Sequence, residues 1–301
     1  MSSFKKKKVY LIGAGKVGSS FAYEFIKKKY ALKYISERHL KKHKAFLSDL
    51  KKKKIICSEH IESEFVKDAD VIFIMVQDAN ILHVINNIKS FKLDFKNKLI
   101  FHISGSLSSD VFKVLKIANT NCASIHPIQT FNEVTKNSSL VENIYFGIEG
   151  GSKAVSYAKS IVKDFNSNYI TVDKKKKYLY HIASIISSNY LIALVFSASK
   201  IIKEIGGDEK KTYKIFEPII KNTLSNIDTH GIVKSLTGPI ERNDIGIIEK
   251  HIKELKKMKP GMAELYMNFG LITTELSYRK KSINKTDKTK LENLMKKYLR
   301  D

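Results

Sequence analysis

A glycine-rich run directly behind a short apolar segment, near the start of the chain, constrains the fold most. Residues 9–12 (VYLI) are apolar, as in a buried strand, and GAGKVG follows at residues 13–18. Apolar side chains then recur at helical spacing through residues 19–29. A G-x-G-x-x-G run between a strand and a helix is the phosphate-binding turn of dinucleotide-binding domains. The sequence therefore predicts the first strand and helix of a Rossmann domain.

Strand-like and helical segments alternate through the first half of the chain. Further strands are predicted at residues 32–35, 55–57, 71–76, 99–103, 122–125, 144–148 and 169–172. Helices are predicted at residues 41–51, 79–88, 153–165 and between 105 and 122. This alternation is typical of a doubly wound, mainly parallel α/β sheet.

From residue 173 onward the strand signals stop. Helical patterns occupy residues 178–205, 209–229, 245–257, 260–279 and 288–299. We therefore predict an NAD(P)-binding Rossmann domain over residues 1–172 and an all-helical substrate and dimerisation domain over residues 173–301.

The charge and the cysteines exclude several classes of protein. The net charge is +24, but only four of the 54 basic residues are arginines, and the lysines are spread along the whole chain. A nucleic-acid site would cluster its charges and use arginine for bidentate contacts, so we expect no nucleic-acid partner. Two cysteines, Cys57 and Cys122, cannot build a disulfide framework or a metal-binding cysteine pair. With no targeting segment evident, the sequence predicts a cytoplasmic protein without a metal.

Residues 178–199 form an uncharged stretch flanked by lysines. Its length would suffice to cross a bilayer. It also contains His181, Asn189 and five serines, which are costly in lipid, and an apolar helix equally suits the centre of a helical domain or of a dimer. We favour the buried helix, and hence a homodimer, over a membrane span.

The glycine-rich turn is predicted to hold a nicotinamide dinucleotide. Gly13 permits the tight turn, Gly15 lets the backbone approach a pyrophosphate, and Gly18 lets the helix pack against the strand. The helix N-terminus then presents N–H groups to the phosphates. The predicted binding residues of this turn are Gly13, Ala14, Gly15, Lys16, Val17 and Gly18.

The end of the second strand bears on the choice between NAD and NADP. Ser36 stands there, Arg38 follows it, and Lys41 and Lys42 come one turn later. A hydroxyl and cations favour a 2′-phosphate, hence NADP, with Ser36 and Arg38 as binding residues. Glu37 leaves NAD open, because its carboxylate can accept from a ribose hydroxyl.

Polar residues after three other strands are predicted to face the same crevice, since ligands bind beyond the carboxyl ends of such strands. Gln77 is assigned to the cofactor, and Ser104 to the reaction. His126 and Gln129 are assigned to the substrate, although a histidine before proline is often purely structural.

Polar residues in the second half complete the predicted site. His181, Ser188 and Asn189 share a face of one helix. Histidine titrates near neutral pH, so His181 is the predicted general acid, while Asn189 orients the substrate and Ser188 binds it. Arg242 is expected either to bind a substrate anion or to form an interhelical salt bridge.

Several of these runs together resemble a known family. They are HISGS at 102–106, SIHPIQTF at 124–131, YFGIEG at 145–150, LYH at 179–181 with NYL from Asn189, and LTGPIERND at 236–244. With GAGKVG they resemble a bacterial family of Rossmann-like candidate oxidoreductases whose C-terminal half is a domain of unknown function. That family is similar to 6-phosphogluconate dehydrogenase, pyrroline-5-carboxylate reductase and ketopantoate reductase.

The resemblance implies an N-terminal NAD(P) domain, a helical C-terminal dimerisation domain and an active site between them. In ketopantoate reductase-like enzymes a lysine stands where His181 is found here, and family members often have Ser-Arg where Glu37 separates Ser36 from Arg38. The expected function is hydride transfer between a nicotinamide cofactor and a small C=O or C=N substrate. The alternative is a regulatory or sensor protein that binds NAD(P) without turnover.

Overall fold

The computed structural model describes residues 3–39, 44–258 and 261–300. Within these residues eight strands form one sheet in the order β3-β2-β1-β4-β5-β6-β7-β8. The strands are β1 (Lys8–Ile12), β2 (Ala31–Ser36), β3 (Ile56–Ser58), β4 (Val71–Ile74), β5 (Leu99–His102), β6 (Cys122–Pro127), β7 (Tyr145–Gly150) and β8 (Asn168–Thr171).

The strand pairing confirms the predicted fold class. Strands β1 to β6 are parallel neighbours, β7 runs antiparallel to β6, and β8 is parallel to β7. The order 3-2-1-4-5-6 is that of the Rossmann fold, in which ligands bind beyond the carboxyl ends of the central strands. This edge of the sheet carries the residues discussed below.

The central strands are apolar throughout because an apolar core packs against each face of the sheet. Along β1 the side chains alternate, so that Val9 and Leu11 join one core cluster while Tyr10 and Ile12 join the other. Both faces of the sheet are therefore covered, and all four residues of β4 are buried.

Helices cover the sheet largely where the periodicity predicts them. They are α1 (Lys16–Lys27), α2 (Lys44–Lys52), α3 (Ser63–Asp68), α4 (Asp78–Ser90) and α5 (Ser152–Asp164). The prediction of a helix between residues 105 and 122 is wrong, because the segment forms two 3₁₀ turns, Ser109–Leu115 and Asn119–Asn121. The hydroxyl of the preceding Ser104 competes for the backbone at the start of this segment, where it accepts from the N–H groups of Ser106 and Leu107.

The second half of the chain is helical, as predicted. Its helices are α6 (Lys177–Glu204), α7 (Thr212–His230), α8 (Ile245–Lys256), α9 (Met262–Lys280) and α10 (Lys285–Arg300). Chain contacts define two compact units, Met1–Asn189 and Tyr190–Asp301. The second unit has its own core, which includes Ile248, Met267, Leu291 and Met295. The domain boundary after residue 172 stays a prediction.

Helix α6 is largely exposed in the single chain. Among the described residues, one helical segment, Lys174–Glu204, is long and apolar enough by length and composition to cross a membrane. Only 6% of its most apolar window is buried, with a mean hydropathy of 1.6. The single chain therefore does not bury this helix as predicted. Its burial in a dimer stays a prediction.

Candidate active site

Of the three glycines of the glycine-rich turn, one has space for a side chain and two do not. A Cβ on Gly13, whose φ is +95°, would lie 2.5 Å from the carbonyl oxygen of Met75, and a Cβ on Gly18 would collide with the carbonyl oxygen of Gly13. A Cβ on Gly15 would meet nothing within 4 Å. Gly15 is also the N-cap of α1 and provides no side-chain cap. The N–H groups of Gly13 and Ala14 are already bonded to Ser36 and Glu37. The N–H groups at the start of α1, beside the open position of Gly15, are therefore those that fit a dinucleotide pyrophosphate.

The residues after β2 have separate environments. Ser36 is buried, and its hydroxyl lies 2.6 Å from the Tyr10 hydroxyl and donates to the carbonyl oxygen of His60 at 2.6 Å. The Ser36 side chain is thus engaged in the core. Arg38 is exposed. Lys41 and Lys42, the other cations of the NADP prediction, lie outside the described residues.

Asp78 joins the ends of β4 and β5. Its carboxylate accepts hydrogen bonds from the hydroxyls of Ser104 at 2.6 Å and Ser106 at 2.7 Å. Gln77, the preceding residue, is exposed and is the N-cap of α4. Since the Ser104 hydroxyl also accepts from two backbone N–H groups, it is committed to shaping this loop, and the loop in turn positions Gly105.

Gly105 lies between two histidines. A Cβ at this position would be 2.8 Å from Nδ1 of His181 and 2.9 Å from Nε2 of His126. The absence of a side chain therefore lets both imidazoles approach the backbone after β5, and their ring centroids are 6.2 Å apart. Nδ1 of His181 is buried and has no hydrogen-bond partner in the described part of the chain. Buried polar atoms are rarely left unpaired, which makes this nitrogen a candidate contact for a ligand.

Tyr180 orients the His126 ring. Its hydroxyl is 2.6 Å from Nδ1 of His126, which leaves Nε2 directed toward Gly105. Burial lowers the pKa of His126 to about 4, and the charge of Lys177 contributes. Burial also raises the pKa of Tyr180. Both groups are therefore neutral near pH 7, with the tyrosine hydroxyl available as a donor to Nδ1.

A buried ion pair joins the start of α6 to β7. Nζ of Lys177 is 3.1 Å from Oε1 of Glu149, and both side chains are 3% exposed. Glu149 also accepts from the backbone N–H and the hydroxyl of Ser109. Desolvation lowers the pKa of Lys177 to about 8 despite the nearby carboxylate. The pair fixes the first residue of α6 to β7, near the positions where Tyr180 contacts His126 and His181 approaches Gly105.

The other predicted residues do not join this cluster by any contact among the described residues. Gln129 is exposed, and its side-chain oxygen accepts from the Thr130 N–H. Ser188 and Asn189 follow His181 on α6 and make no side-chain hydrogen bond within the described ranges. Arg242 is an exposed residue of the second unit, where its charge acts on Glu241 without a close ion pair among the described residues.

The sequence-based site omitted Tyr180 and the pair formed by Lys177 and Glu149. Tyr180 directly precedes the predicted general acid, His181, and its hydroxyl could have indicated a site residue. Lys177 ends a run of four lysines. Nothing in that run distinguishes the one that is buried.

Two family models match the chain. Residues 1–125 match the shikimate / quinate 5-dehydrogenase family, and residues 144–273 match a domain of unknown function, DUF2520. No curated protein matches significantly in a sequence search.

Solved structures share the fold across nearly the whole chain. A protein from Thermotoga maritima is 24% identical with a TM-score of 0.72, and the match covers 91% of this chain and 99% of that one. A candidate NADP oxidoreductase from Bacteroides fragilis is 19% identical with a TM-score of 0.68, covering 92% and 100%. Pyrroline carboxylate reductase from Plasmodium falciparum, solved with NADP bound, is 14% identical with a TM-score of 0.55, covering 97% and 99%.

These matches agree with the resemblance inferred from the sequence motifs. The chain therefore joins an N-terminal Rossmann domain, similar to that of the shikimate / quinate 5-dehydrogenase family, to a C-terminal region that matches the domain of unknown function DUF2520.

Proposed function

We propose that the protein is an NAD(P)-dependent oxidoreductase acting on a small C=O or C=N substrate. The observation that carries this proposal is the unpartnered, buried Nδ1 of His181 beside Gly105. It lies in the same unit as the open glycine turn. Gly105 follows β5 and the glycine turn follows β1, so both come after the carboxyl ends of parallel strands of one sheet. The two features supply the requirements of such a reaction, a place for the cofactor and a proton-carrying group.

The turn at residues 13–18 would hold the cofactor. Backbone N–H groups at the start of α1 would bind the pyrophosphate, and Gly15 would allow the close approach. A bound nicotinamide supplies or accepts the hydride. NADP in the Plasmodium falciparum relative supports a nicotinamide dinucleotide as the ligand.

His181 would exchange the proton with the substrate oxygen or nitrogen. Its unpartnered Nδ1 is the atom that such a group would contact. His126, held by Tyr180, would donate a hydrogen bond from Nε2 to the same substrate. Asp78 and Ser104 position the loop that carries Gly105, so they act on the reaction through the backbone.

A ligand screen tests the proposal. The protein is melted with NADH and NADPH, and then with the preferred cofactor plus small keto acids and imines. A binding ligand raises the melting temperature by mass action. We expect a shift with at least one dinucleotide, a further shift with a substrate, and cofactor absorbance changes that report turnover.

Paired variants locate the cofactor. Gly15→Asp places a carboxylate in the open space of the turn and should abolish the shift, whereas Gly15→Ala adds only a methyl group there and should keep most of it. If Gly15→Asp binds a dinucleotide as well as the parent protein, the cofactor site lies elsewhere. Binding without turnover of any substrate would instead support the sensor alternative.

The proposal also includes the oligomeric state and the cellular compartment. We expect a cytoplasmic homodimer without nucleic-acid or membrane partners. The uncharged stretch of α6 supports the dimer, because it leaves large apolar side chains exposed on the single chain.

A further inference from the structure

Glu37 is anchored to the glycine-rich turn. Its Oε2 accepts the backbone N–H of Ala14 at 2.8 Å, and its Oε1 accepts the N–H of His39 at 3.0 Å. Its own backbone N–H donates to the carbonyl oxygen of Ser58 at 3.0 Å. The carboxylate is therefore held at the point where the end of β2 meets the turn between β1 and α1.

This position decides which adenosine ribose a Rossmann domain accepts. The residue after the second strand faces the ribose 2′ position, which carries a hydroxyl in NAD and a phosphate in NADP. A carboxylate is only an acceptor, and each of its oxygens can take about two hydrogen bonds. The anchored Glu37 therefore retains acceptor capacity for ribose hydroxyls, whereas a 2′-phosphate would bring a second anion against it.

We propose that Glu37 makes the protein select NAD(H) over NADP(H). The inference rests on the proposed dinucleotide-binding function and assigns its cofactor class. It reverses the preference drawn from Ser36 and Arg38 in the sequence, although relatives with this fold include NADP enzymes.

Ser36 and Arg38, the two described residues that favoured NADP, do not offset Glu37. The Ser36 hydroxyl already contacts Tyr10 and donates to the carbonyl oxygen of His60, so it is turned into the core. Arg38 is exposed, and in the described ranges no hydrogen bond or close ion pair fixes its side chain. Among the described residues, a fixed carboxylate therefore faces a single cation whose side chain is not fixed, while Lys41 and Lys42 lie outside the described residues. Preorganised groups discriminate better because no ordering cost is paid on binding.

The test is the binding affinity of the two cofactors. Calorimetric titration of the wild-type chain should give a dissociation constant for NADH about tenfold or more below that for NADPH, the worth of one charge-assisted hydrogen bond. Glu37→Gln keeps the size and one acceptor for the Ala14 N–H but removes the charge. It should weaken NADH and strengthen NADPH, so that the ratio falls by about tenfold.

Two controls separate the local carboxylate from the general charge of the chain. Asp94→Asn removes one exposed negative charge before β5, at the opposite edge of the sheet, and should leave the ratio unchanged. Because the net charge of +24 attracts any anion, the titrations are repeated at higher salt, where long-range attraction is screened. The preference for NADH should persist or increase there.

A second measurement needs no variant. Adenosine 5′-diphosphate and adenosine 2′,5′-diphosphate are compared as competitors of NADH on the wild-type chain, and the 2′-phosphate should weaken competition. Tighter binding of NADPH by the wild-type chain, with the advantage lost in Arg38→Gln, overturns the assignment to Glu37. If neither dinucleotide binds, the proposed function fails instead.

Discussion

At the scale of single residues, the candidate site depends on the geometry of two neighbouring side chains on α6. His181 offers an unpartnered nitrogen, and Tyr180 orients the second imidazole, His126. The two residues have different expected roles, direct proton exchange for His181 and positioning for Tyr180. Substitutions should therefore separate them.

We expect His181→Gln to lower turnover by on the order of a hundredfold or more, the usual loss for a missing general acid. Dinucleotide affinity should stay near the parental value, because the glycine turn is untouched. Glutamine keeps a polar side chain and limits packing damage. Parental turnover in this variant would mean that His181 is only a core histidine and that water or His126 exchanges the proton with the substrate.

Tyr180→Phe should cause a smaller loss and change the pH profile. Without the hydroxyl, Nδ1 of His126 loses its partner and the ring is no longer held in one tautomer. Turnover should fall less than in His181→Gln, while the acid limb of the profile moves. A uniform loss at every pH, with an unchanged profile, would mean that Tyr180 only packs.

One buried histidine, His102, and one half-buried histidine, His126, should make stability depend on pH. Burial, with the charge of Lys177, lowers the pKa of His102 to about 3 and that of His126 to about 4. An unfolded histidine titrates near pH 6.5, so below that pH the unfolded chain binds protons that the folded chain refuses. The free energy of unfolding should therefore fall as the pH drops from 6.5 toward 4.

Comparing His102→Asn with the parent protein checks this dependence. Asparagine can still accept the Ser104 N–H that His102 Nδ1 accepts at 3.2 Å, but it does not titrate. Between pH 6 and 5 the variant should lose less stability, by up to about 1.4 kcal/mol per pH unit for one proton. Urea unfolding at several pH values measures it, and identical slopes would contradict the assignment.

Sequence motifs suggested residue types for the candidate site but could not give their contacts. His126, His181 and Gly15 follow from motifs whose chemistry is local. The commitment of Ser36 and Ser104 to internal hydrogen bonds could not be predicted, because their partners Tyr10, His60 and Asp78 are distant in sequence. Short polar side chains take whichever partner the tertiary structure brings near.

At the scale of elements, apolar periodicity was a reliable guide to where most strands and helices lie. It failed between residues 105 and 122, where the Ser104 hydroxyl binds two backbone N–H groups at the start of the segment. It also could not show how the start of α6 is fixed. That fixing comes from the buried pair of Lys177 and Glu149, which joins α6 to β7.

Breaking this pair should destabilise the first unit. Lys177→Met leaves Glu149 buried with only the Ser109 donors, and removing one partner of a buried pair costs about 3–5 kcal/mol. The double variant with Glu149→Gln should recover part of the loss, because no uncompensated charge then remains buried. Urea unfolding of the parent, single and double variants measures this. If the double variant is no more stable than Lys177→Met, the charge is not the cause.

At the scale of the whole molecule, the net charge disfavours self-association, whereas the exposed apolar surface favours it. Two copies that each carry +24 repel, so self-association needs a surface without charge. Residues 178–199 of α6 provide one, with Ile186 54% and Ile192 67% exposed. A twofold pairing would bury the same patch on both copies. We therefore expect a homodimer through α6.

Sedimentation at micromolar concentration should show this dimer, and low salt should weaken it because the repulsion is then less screened. Ile192→Glu places a charge in the patch and should give a folded monomer. Leu82→Glu is the matched control, since Leu82 is a 49% exposed apolar residue on α4, and it should remain dimeric. A monomeric parent protein would contradict the dimer. Recovery of the parent protein only in detergent would instead indicate that the apolar stretch of α6 is covered by lipid, and Ile192→Glu should then release the chain into water.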